Sequence, residues 1–349
     1  MATTYLSGAA FGAAMMAASF HNPAVVIAQM KWENWHMAQA FLAATASSAQ
    51  TLVSSLVARG ANVWWWEQRA MYAVAERLDY VKLKPRSSSP MGLFSRYDGN
   101  IVGGALLGAG MALSGSCPGT LYAQLAAGVH TGFHALNGAM LGGLLWTGLV
   151  SGLVRQRKDK ANASPVTATA NGQLGLSRVA TLLLFETACL SVLAATTIYT
   201  PKFPGAKVLG AAGGLLIGLS QLFSIVSRRC MIGVSTAYEE IGNYFWWVVK
   251  GAEPNAQPTS YNSILFAAGV TSGAWGMLQA VPSLASAPVF EAPPLLAMAG
   301  GALMAVGSRM GGGCTSGHGI SGMSLLSLSS MITIACTFAA GAAVAPLVY

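Results

Sequence analysis

A glycine-rich stretch ending in a cysteine occurs twice in this chain, 197 positions apart, and this repeat limits the possible folds more than any other feature. Moving the sequence against itself by that step sets Cys117 on Cys314. It also sets Gly103 on Gly300, Gly104 on Gly301, Ala105 on Ala302, Leu106 on Leu303, Gly110 on Gly307 and Gly115 on Gly312. Seven identities in fifteen columns go beyond a shared taste for glycine and mark an internal duplication. One copy reads Ser114-Gly115-Ser116-Cys117-Pro118-Gly119-Thr120 and the other Gly311-Gly312-Gly313-Cys314-Thr315-Ser316-Gly317-His318-Gly319. A second, weaker match at a shift of 206 pairs Gly8 with Gly214, Gly12 with Gly218 and Glu33 with Glu239, and sets Ala24 against Cys230.

Both copies lie in apolar surroundings. Hydrophobic residues make up 54% of the 349 and charged residues 9%, against about 25% charged in a soluble domain. Apolar runs of the roughly 20 residues that a bilayer crossing needs recur from end to end. A soluble protein of this size would have to solvate its surface with 30 charged side chains. The chain therefore reads as an all-α, polytopic membrane protein whose surroundings are the lipid bilayer. Met1 to Gly8 contains neither a basic start nor a small-residue cleavage site, so no removable signal peptide is expected. The five cysteines do not form a secreted disulfide pattern. A net charge of +8 fits cytoplasmic loops obeying the positive-inside rule or a field that draws an anion. Most of it lies in loops, and no nucleic-acid partner is expected.

About nine spans are expected. The first, near Tyr5 to Met30, is interrupted by His21-Asn22-Pro23, where a proline among polar residues breaks a helix. The second runs near Trp35 to Ala58. Arg59 to Arg96 is basic and opens with Trp64-Trp65-Trp66, which predicts an interfacial helix to about Val81 on the cytoplasmic side. Spans near Asp98–Leu113 and His130–Val154 flank the Cys117 break. A polar linker follows and reads as a mobile loop. Two spans precede the first basic loop and two more the second, so the N-terminus falls inside, and a lone span near Leu176–Tyr199 starts the second half from the opposite face. That is the requirement for an inverted repeat. The expected units are 1–160, a linker 161–175, a connecting helix 176–200, and an inverted second repeat 201–349.

The breaks carry the chemistry. Non-helical backbone at membrane depth must be buried in protein or line a polar cavity. Pro118 fits the first position of a helix, and Thr315 and Ser316 are capping types. Two half-helices pointing their N-termini at one place would offer converging N–H donors to a small anion. A thiol in apolar surroundings stays protonated and makes a soft, polarizable contact. Serine would serve phosphate or sulfate better. A soft-sulfur anion such as thiosulfate matches oxygens to N–H groups and sulfur to thiol. Buried membrane cysteines commonly only pack, but two in equivalent glycine breaks ask for more than packing.

The Cys314 and Cys117 motifs, with Arg229-Cys230 followed by Ala237, Glu239 and Glu240, resemble the YeeE/YedE family of sulfur transport proteins across essentially the whole chain. The resemblance implies thiosulfate uptake through an hourglass-shaped inverted repeat. It also implies a relay of the unaltered anion along Cys117, Cys314 and Cys230 by S–H···S contacts. Substrate-binding candidates are these three with Gly115, Gly119, Gly313, Thr315, Gly317, His318 and Arg309; no metal or other cofactor is expected. Where family members can carry an Arg-x-Cys motif in the first unit, this chain has His21-Asn22-Pro23. Selenium-associated relatives share the plan.

Other residues have two readings each. Arg309 is either a site cation or a cap on carbonyls. Arg228 and Arg229 are an anion entrance or interfacial anchors. His318 binds, shuttles a proton or ties its own loop together. His130 and His134, without a carboxylate nearby, read as interfacial histidines rather than a metal pair. Glu186 needs a partner, and Cys189 and Cys336 pack. A membrane sulfurtransferase forming a cysteine persulfide is the alternative function, and a cytoplasmic sulfurtransferase is a possible partner of the transporter.

Overall fold

The computed structural model describes residues 1–57, 83–285 and 290–349. The expected interfacial helix from Trp64 to Val81 lies outside the described residues. Among them the protein is helical, with one isolated antiparallel bridge between Thr169 and Ser327. The elements are α1 (Ala2–Ala17), α2 (Pro23–Met30), α3 (His36–Val57), α4 (Asp98–Ser114), α5 (Thr120–Ala126) and α6 (His130–Lys160). They continue with α7 (Arg178–Tyr199), α8 (Gly210–Arg228), α9 (Thr236–Val249), α10 (Asn262–Ala280), α11 (Pro294–Met310) and α12 (Leu328–Val348). Four of them, α6, α7, α8 and α12, are long and apolar enough to cross a membrane by length and composition. The chain is a multi-pass membrane protein.

Length explains the breaks. The 17 residues of α4 and of α11 rise about 26 Å each, short of a hydrocarbon core about 30 Å thick. Each runs into one of the glycine-cysteine breaks, and the short elements α2, α5, α9 and a π-helical turn, Ser316–Gly322, each follow an interruption of the chain. At the first, Asn22 accepts the Ala24 N–H at 3.0 Å while Pro23 occupies the first turn of α2, where its missing N–H costs nothing.

Packing repeats with the halves exchanged. α1 lies along α10 as α8 lies along α3, and α4 lies along α12 as α6 lies along α11. Across the middle, α4 meets α11 and α1 meets α8. Glycines make these approaches close: a Cβ at Gly103 would collide with the backbone of Gly307 and Gly311, and one at Gly110 with Gly300. The outer surface of α7 and α8 is apolar, with Leu183, Leu184, Leu190 and Ile198 of α7 and Leu215, Leu219 and Phe223 of α8 exposed.

The ends of the helices gather in two places. At the basic end, a strap over residues 83–97 lies across the Cys314 break and the start of α12. Arg86 N donates to Ser327 Oγ at 2.8 Å, and Ser329 Oγ donates to Arg86 O at 3.0 Å. Asp98 turns the strap by accepting the N–H groups of Met91 and Leu93 at 2.6 and 2.7 Å. The opposite end joins His130 N to Glu291 at 3.2 Å and Asn34 Nδ2 to Pro201 O at 3.1 Å.

One expectation is corrected here. The linker after α6 is docked rather than mobile. Ser88 and Val166 exchange two hydrogen bonds, Ala170 N donates to Leu326 O at 2.9 Å, and a short helix, Ala170–Leu174, follows. The Thr167 hydroxyl and several backbone groups find partners on the strap and before α12, which periodicity alone does not reveal.

Candidate functional site: two cysteine breaks

Both breaks start with the same backbone device. Gly115 and Gly312, equivalent in the duplication, have φ of +59° and +84°, a region that costs other L-residues about 1–2 kcal/mol. The chain turns sharply there and delivers a cysteine two residues later. In each case the sulfur then faces an N–H three positions on: Thr120 N donates to Cys117 Sγ at 3.3 Å, and the Gly317 N–H approaches Cys314 Sγ. Each thiol acts as an acceptor at the start of its own turn, leaving its S–H to point elsewhere.

The two loops are then secured differently. Around Cys117, Thr120 Oγ1 accepts the Cys117 N–H at 2.6 Å, Gln124 Nε2 donates to Gly115 O at 2.9 Å, and Ser116 Oγ donates to Gln124 Oε1 at 2.5 Å. Around Cys314, Ser316 Oγ lies 3.2 Å from the sulfur, and the N–H groups of Val234 and Ser235, just before α9, approach it from the other side. His318 Nε2 donates to Gly311 O at 3.1 Å, so Nδ1 is left to accept from Ser330 Oγ at 2.9 Å. Both ring nitrogens of His318 are engaged in holding the loop.

Two capping expectations are corrected. Pro118 does not open α5, which starts at Thr120. The Cys117–Thr120 turn intervenes, and Pro118 O accepts Tyr238 Oη at 2.9 Å. Neither Thr315 nor Ser316 caps a helix end by side chain. The π-helical turn begins at Ser316, and the Thr315 hydroxyl, 1% exposed, faces the Cys117 thiol without completing a hydrogen bond.

That contact brings the breaks together. Cys117 and Cys314 are both buried and both reduced. Tyr238 of α9 lies within electrostatic reach of both sulfurs and stacks on Tyr122 of α5, ring centres 6.4 Å apart. Of the other candidates, Gly119 sits against Met15 and Phe11 of α1. Arg309 is ion-paired with Glu239 and reaches Thr236 Oγ1 at 3.3 Å, so it ties α11 to the start of α9 instead of capping carbonyls. Cys230 is exposed, just after α8, beside Arg228, whose guanidinium lies 4.4 Å over the Phe266 ring and donates to Met231 O at 3.1 Å.

Sequence reasoning missed Tyr122, Tyr238, Thr120, Gln124 and Asn100. Asn100 donates to Gly311 O at 3.0 Å and to Thr333 Oγ1 at 2.9 Å while accepting the Ser89 N–H at 2.9 Å, joining strap, loop and α12. A buried-type polar residue inside an otherwise glycine-rich span was the available signal. Arg86 was read only as one charge in a basic loop. Among the described residues no group of three or more His, Cys, Asp or Glu side chains could hold a metal.

A family model described as Sulphur transport matches residues 17–344. The chain belongs to that family. It is 26% identical over 271 residues, 73% of this chain and 78% of the relative, to a protein of Spirochaeta thermophila named thiosulfate transporter TsuA. It is 31% identical over 133 residues, 38% of this chain and 88% of the relative, to a probable transporter of Xylella fastidiosa. The family and these relatives indicate a transporter, as the glycine-cysteine motifs do.

Proposed function

We propose that this protein takes thiosulfate across the membrane unaltered, through the two halves 1–160 and 201–349 arranged as inverted repeats around 176–200. The observation that carries the reading is the meeting of both duplicated thiols at Thr315 and Tyr238, each sulfur already accepting an N–H from its own turn. An S–H whose sulfur is so engaged has its proton available for the terminal sulfur of thiosulfate. Backbone N–H groups and the Thr315 hydroxyl suit the sulfonate oxygens. Gly115, Gly119, Gly313 and Gly317 let neighbouring side chains pack closely on the two loops that present the thiols, and Cys230, exposed after α8, would be the last thiol the anion meets. The name of the Spirochaeta thermophila relative supports this choice of substrate.

The basic end is assigned to the cytoplasm because it holds the Arg155–Lys160 cluster, Lys84 and Arg96. A cytoplasmic sulfurtransferase is the class of enzyme fitted to consume the product. The experiment is uptake by proteoliposomes of thiosulfate labelled separately in its two sulfurs, with sulfate as competitor. Both labels should enter together, and sulfate should compete poorly. Entry of one sulfur with sulfite left outside would establish persulfide chemistry instead. Equal competition by sulfate would remove the thiols from recognition. Maleimide labelling of single cysteines placed at Lys84 and Lys158 should find both on the cytoplasmic side.

A further inference from the structure

The Cys314 loop has a guanidinium laid against it that comes from the other half of the chain. Arg86 of the strap is held at its backbone by Ser327 and Ser329, and the neighbouring Leu83 packs with Leu182, Leu325 and Leu326. Its side chain is thereby aimed at the loop, where Nη1 donates to Gly312 O at 2.8 Å. Two glycines of the motif are explained by this cation. A Cβ at Gly313 would stand 2.7 Å from Nη1, and one at Gly317 2.9 Å from Nη2. Neither glycine has a positive φ, so what the missing side chains provide is room, for the guanidinium at both and also for the His318 ring at Gly313.

The charge of Arg86 is the unusual part. Arg309, the other cation at this loop, is neutralised by Glu239. Arg86 has no carboxylate partner among the described residues, and its guanidinium makes one hydrogen bond there, to a neutral carbonyl. It lies within electrostatic reach of the Cys314 sulfur. A guanidinium offers five N–H donors in a planar fork that matches an oxyanion. Among the described residues the Cys117 loop shows no counterpart: its fastening groups, Ser116, Thr120 and Gln124, are neutral. An anion passing between the two thiols therefore meets a fixed positive charge on one side only.

We propose that Arg86 is a substrate-binding residue, taking the sulfonate oxygens of thiosulfate while its terminal sulfur is against Cys314, and so drawing the anion from the Cys117 side toward the basic end. This rests on the transport reading above and adds a residue to it. The fork keeps its Gly312 bond through one N–H and presents the others to the anion. Gly313 and Gly317 allow ligand and guanidinium to share the loop.

The test separates charge from scaffolding. Arg86→Gln keeps an N–H donor for Gly312 O and removes the charge; Arg86→Lys keeps the charge and loses the fork. Thiosulfate binding to the purified full-length protein is measured by calorimetry at several chloride concentrations, with melting temperature as the check on folding. Proteoliposome uptake is measured alongside. R86Q should melt near the parent, bind thiosulfate roughly tenfold or more weakly, and lose much of the salt dependence of binding. R86K should lie between them. Parental affinity, salt dependence and uptake in R86Q would overturn the proposal. So would equal losses in R86Q and R86K accompanied by a matching fall in melting temperature, which would make Arg86 a strut. Parent vesicles that take up no thiosulfate would overturn the transport reading and this assignment together. Parental uptake with an unaffected R86Q overturns the assignment alone.

Discussion

The Cys117 and Cys314 loops share a glycine pattern and the same backbone turn but differ in what surrounds the sulfur. The Cys117 loop is fastened mainly from the element that follows it, by Thr120 and Gln124, with one bond from outside, Tyr238 Oη to Pro118 O. The Cys314 loop is open to the rest of the molecule, taking N–H groups from Val234 and Ser235, a carbonyl clamp from Asn100 and a cation from Arg86. The geometry that presents a thiol is thus local and duplicated, whereas the electrostatics around it are tertiary and one-sided. If the anion is bound as proposed, that difference would let the Cys314 side hold it more strongly than the Cys117 side.

The sharpest way to break the comparison is to remove the thiols one at a time. Cys117→Ala and Cys314→Ala each delete the S–H donor and also the acceptor of the turn N–H, so both variants should fold with a lowered melting temperature, and uptake is read per folded protein. Each should lose the worth of a hydrogen bond to substrate, about 0.5–1.5 kcal/mol, plus the cost of leaving the ligand group unmet. Thiosulfate uptake should fall several-fold or more in both, and serine in place of either cysteine should rescue poorly because its hydroxyl is harder and shorter. Cys189→Ala and Cys336→Ala, outside the glycine breaks, are the controls and should transport as the parent. Parental uptake in both loop variants would leave the cysteines as packing residues.

The glycine turns come next, and here the halves should behave alike. Gly115→Ala and Gly312→Ala both place a Cβ at positive φ, at a cost of about 1–2 kcal/mol each. A Cβ at Gly115 would meet Pro23 at 2.9 Å and Ile27 at 3.1 Å. One at Gly312 would meet the Ser89 hydroxyl, at 2.7 Å, which can rotate away, so the Gly115→Ala loss of melting temperature should be the larger. A neutral result at either position would mean that the shared turn is not needed to present the sulfur.

These pairs also show what could be read from the sequence and what could not. The duplication, the breaks and their glycines were legible because each is a statement about neighbours along the chain: Gly115 and Gly312 appear two residues before a cysteine in both halves. The helical class and the membrane setting followed from apolar runs of bilayer length. What failed was fine cap chemistry, where Pro118 and Thr315 have the right residue types but a sulfur takes the N–H that a capping oxygen would have taken. What stayed hidden was contact across the repeat. Tyr238 to Pro118, Arg86 to Gly312 and Asn100 to Gly311 each span more than a hundred residues, and nothing local distinguishes Arg86 from Lys84 or Arg96.

A smaller effect separates the two loops by their fastenings. Thr120→Val removes the acceptor of the Cys117 N–H, leaving a buried donor unpaired, which costs about 1–3 kcal/mol. The melting temperature should drop and uptake should fall with it. Ser316→Ala, its nearest equivalent beside Cys314, removes a contact that three backbone N–H groups back up, and should be milder. If Ser316→Ala proved as damaging as Thr120→Val, the Cys314 loop would depend on its own side chains as much as the Cys117 loop does.

Thr315 sets the smallest and most specific expectation, because it belongs to one loop and faces the thiol of the other. Its hydroxyl is buried without a hydrogen bond, and a buried, unsatisfied polar group costs free energy that an apolar group of the same shape would not. Thr315→Val keeps the shape and removes the hydroxyl, so the protein should melt at the same temperature or slightly higher. If the hydroxyl is kept for the substrate, the variant should nevertheless bind thiosulfate less well, by about the 0.5–1.5 kcal/mol of one hydrogen bond. Stability and affinity moving in opposite directions is an outcome that packing alone does not produce. A variant that is more stable and binds thiosulfate as well as the parent would show that Thr315 serves neither the anion nor the passage between Cys117 and Cys314.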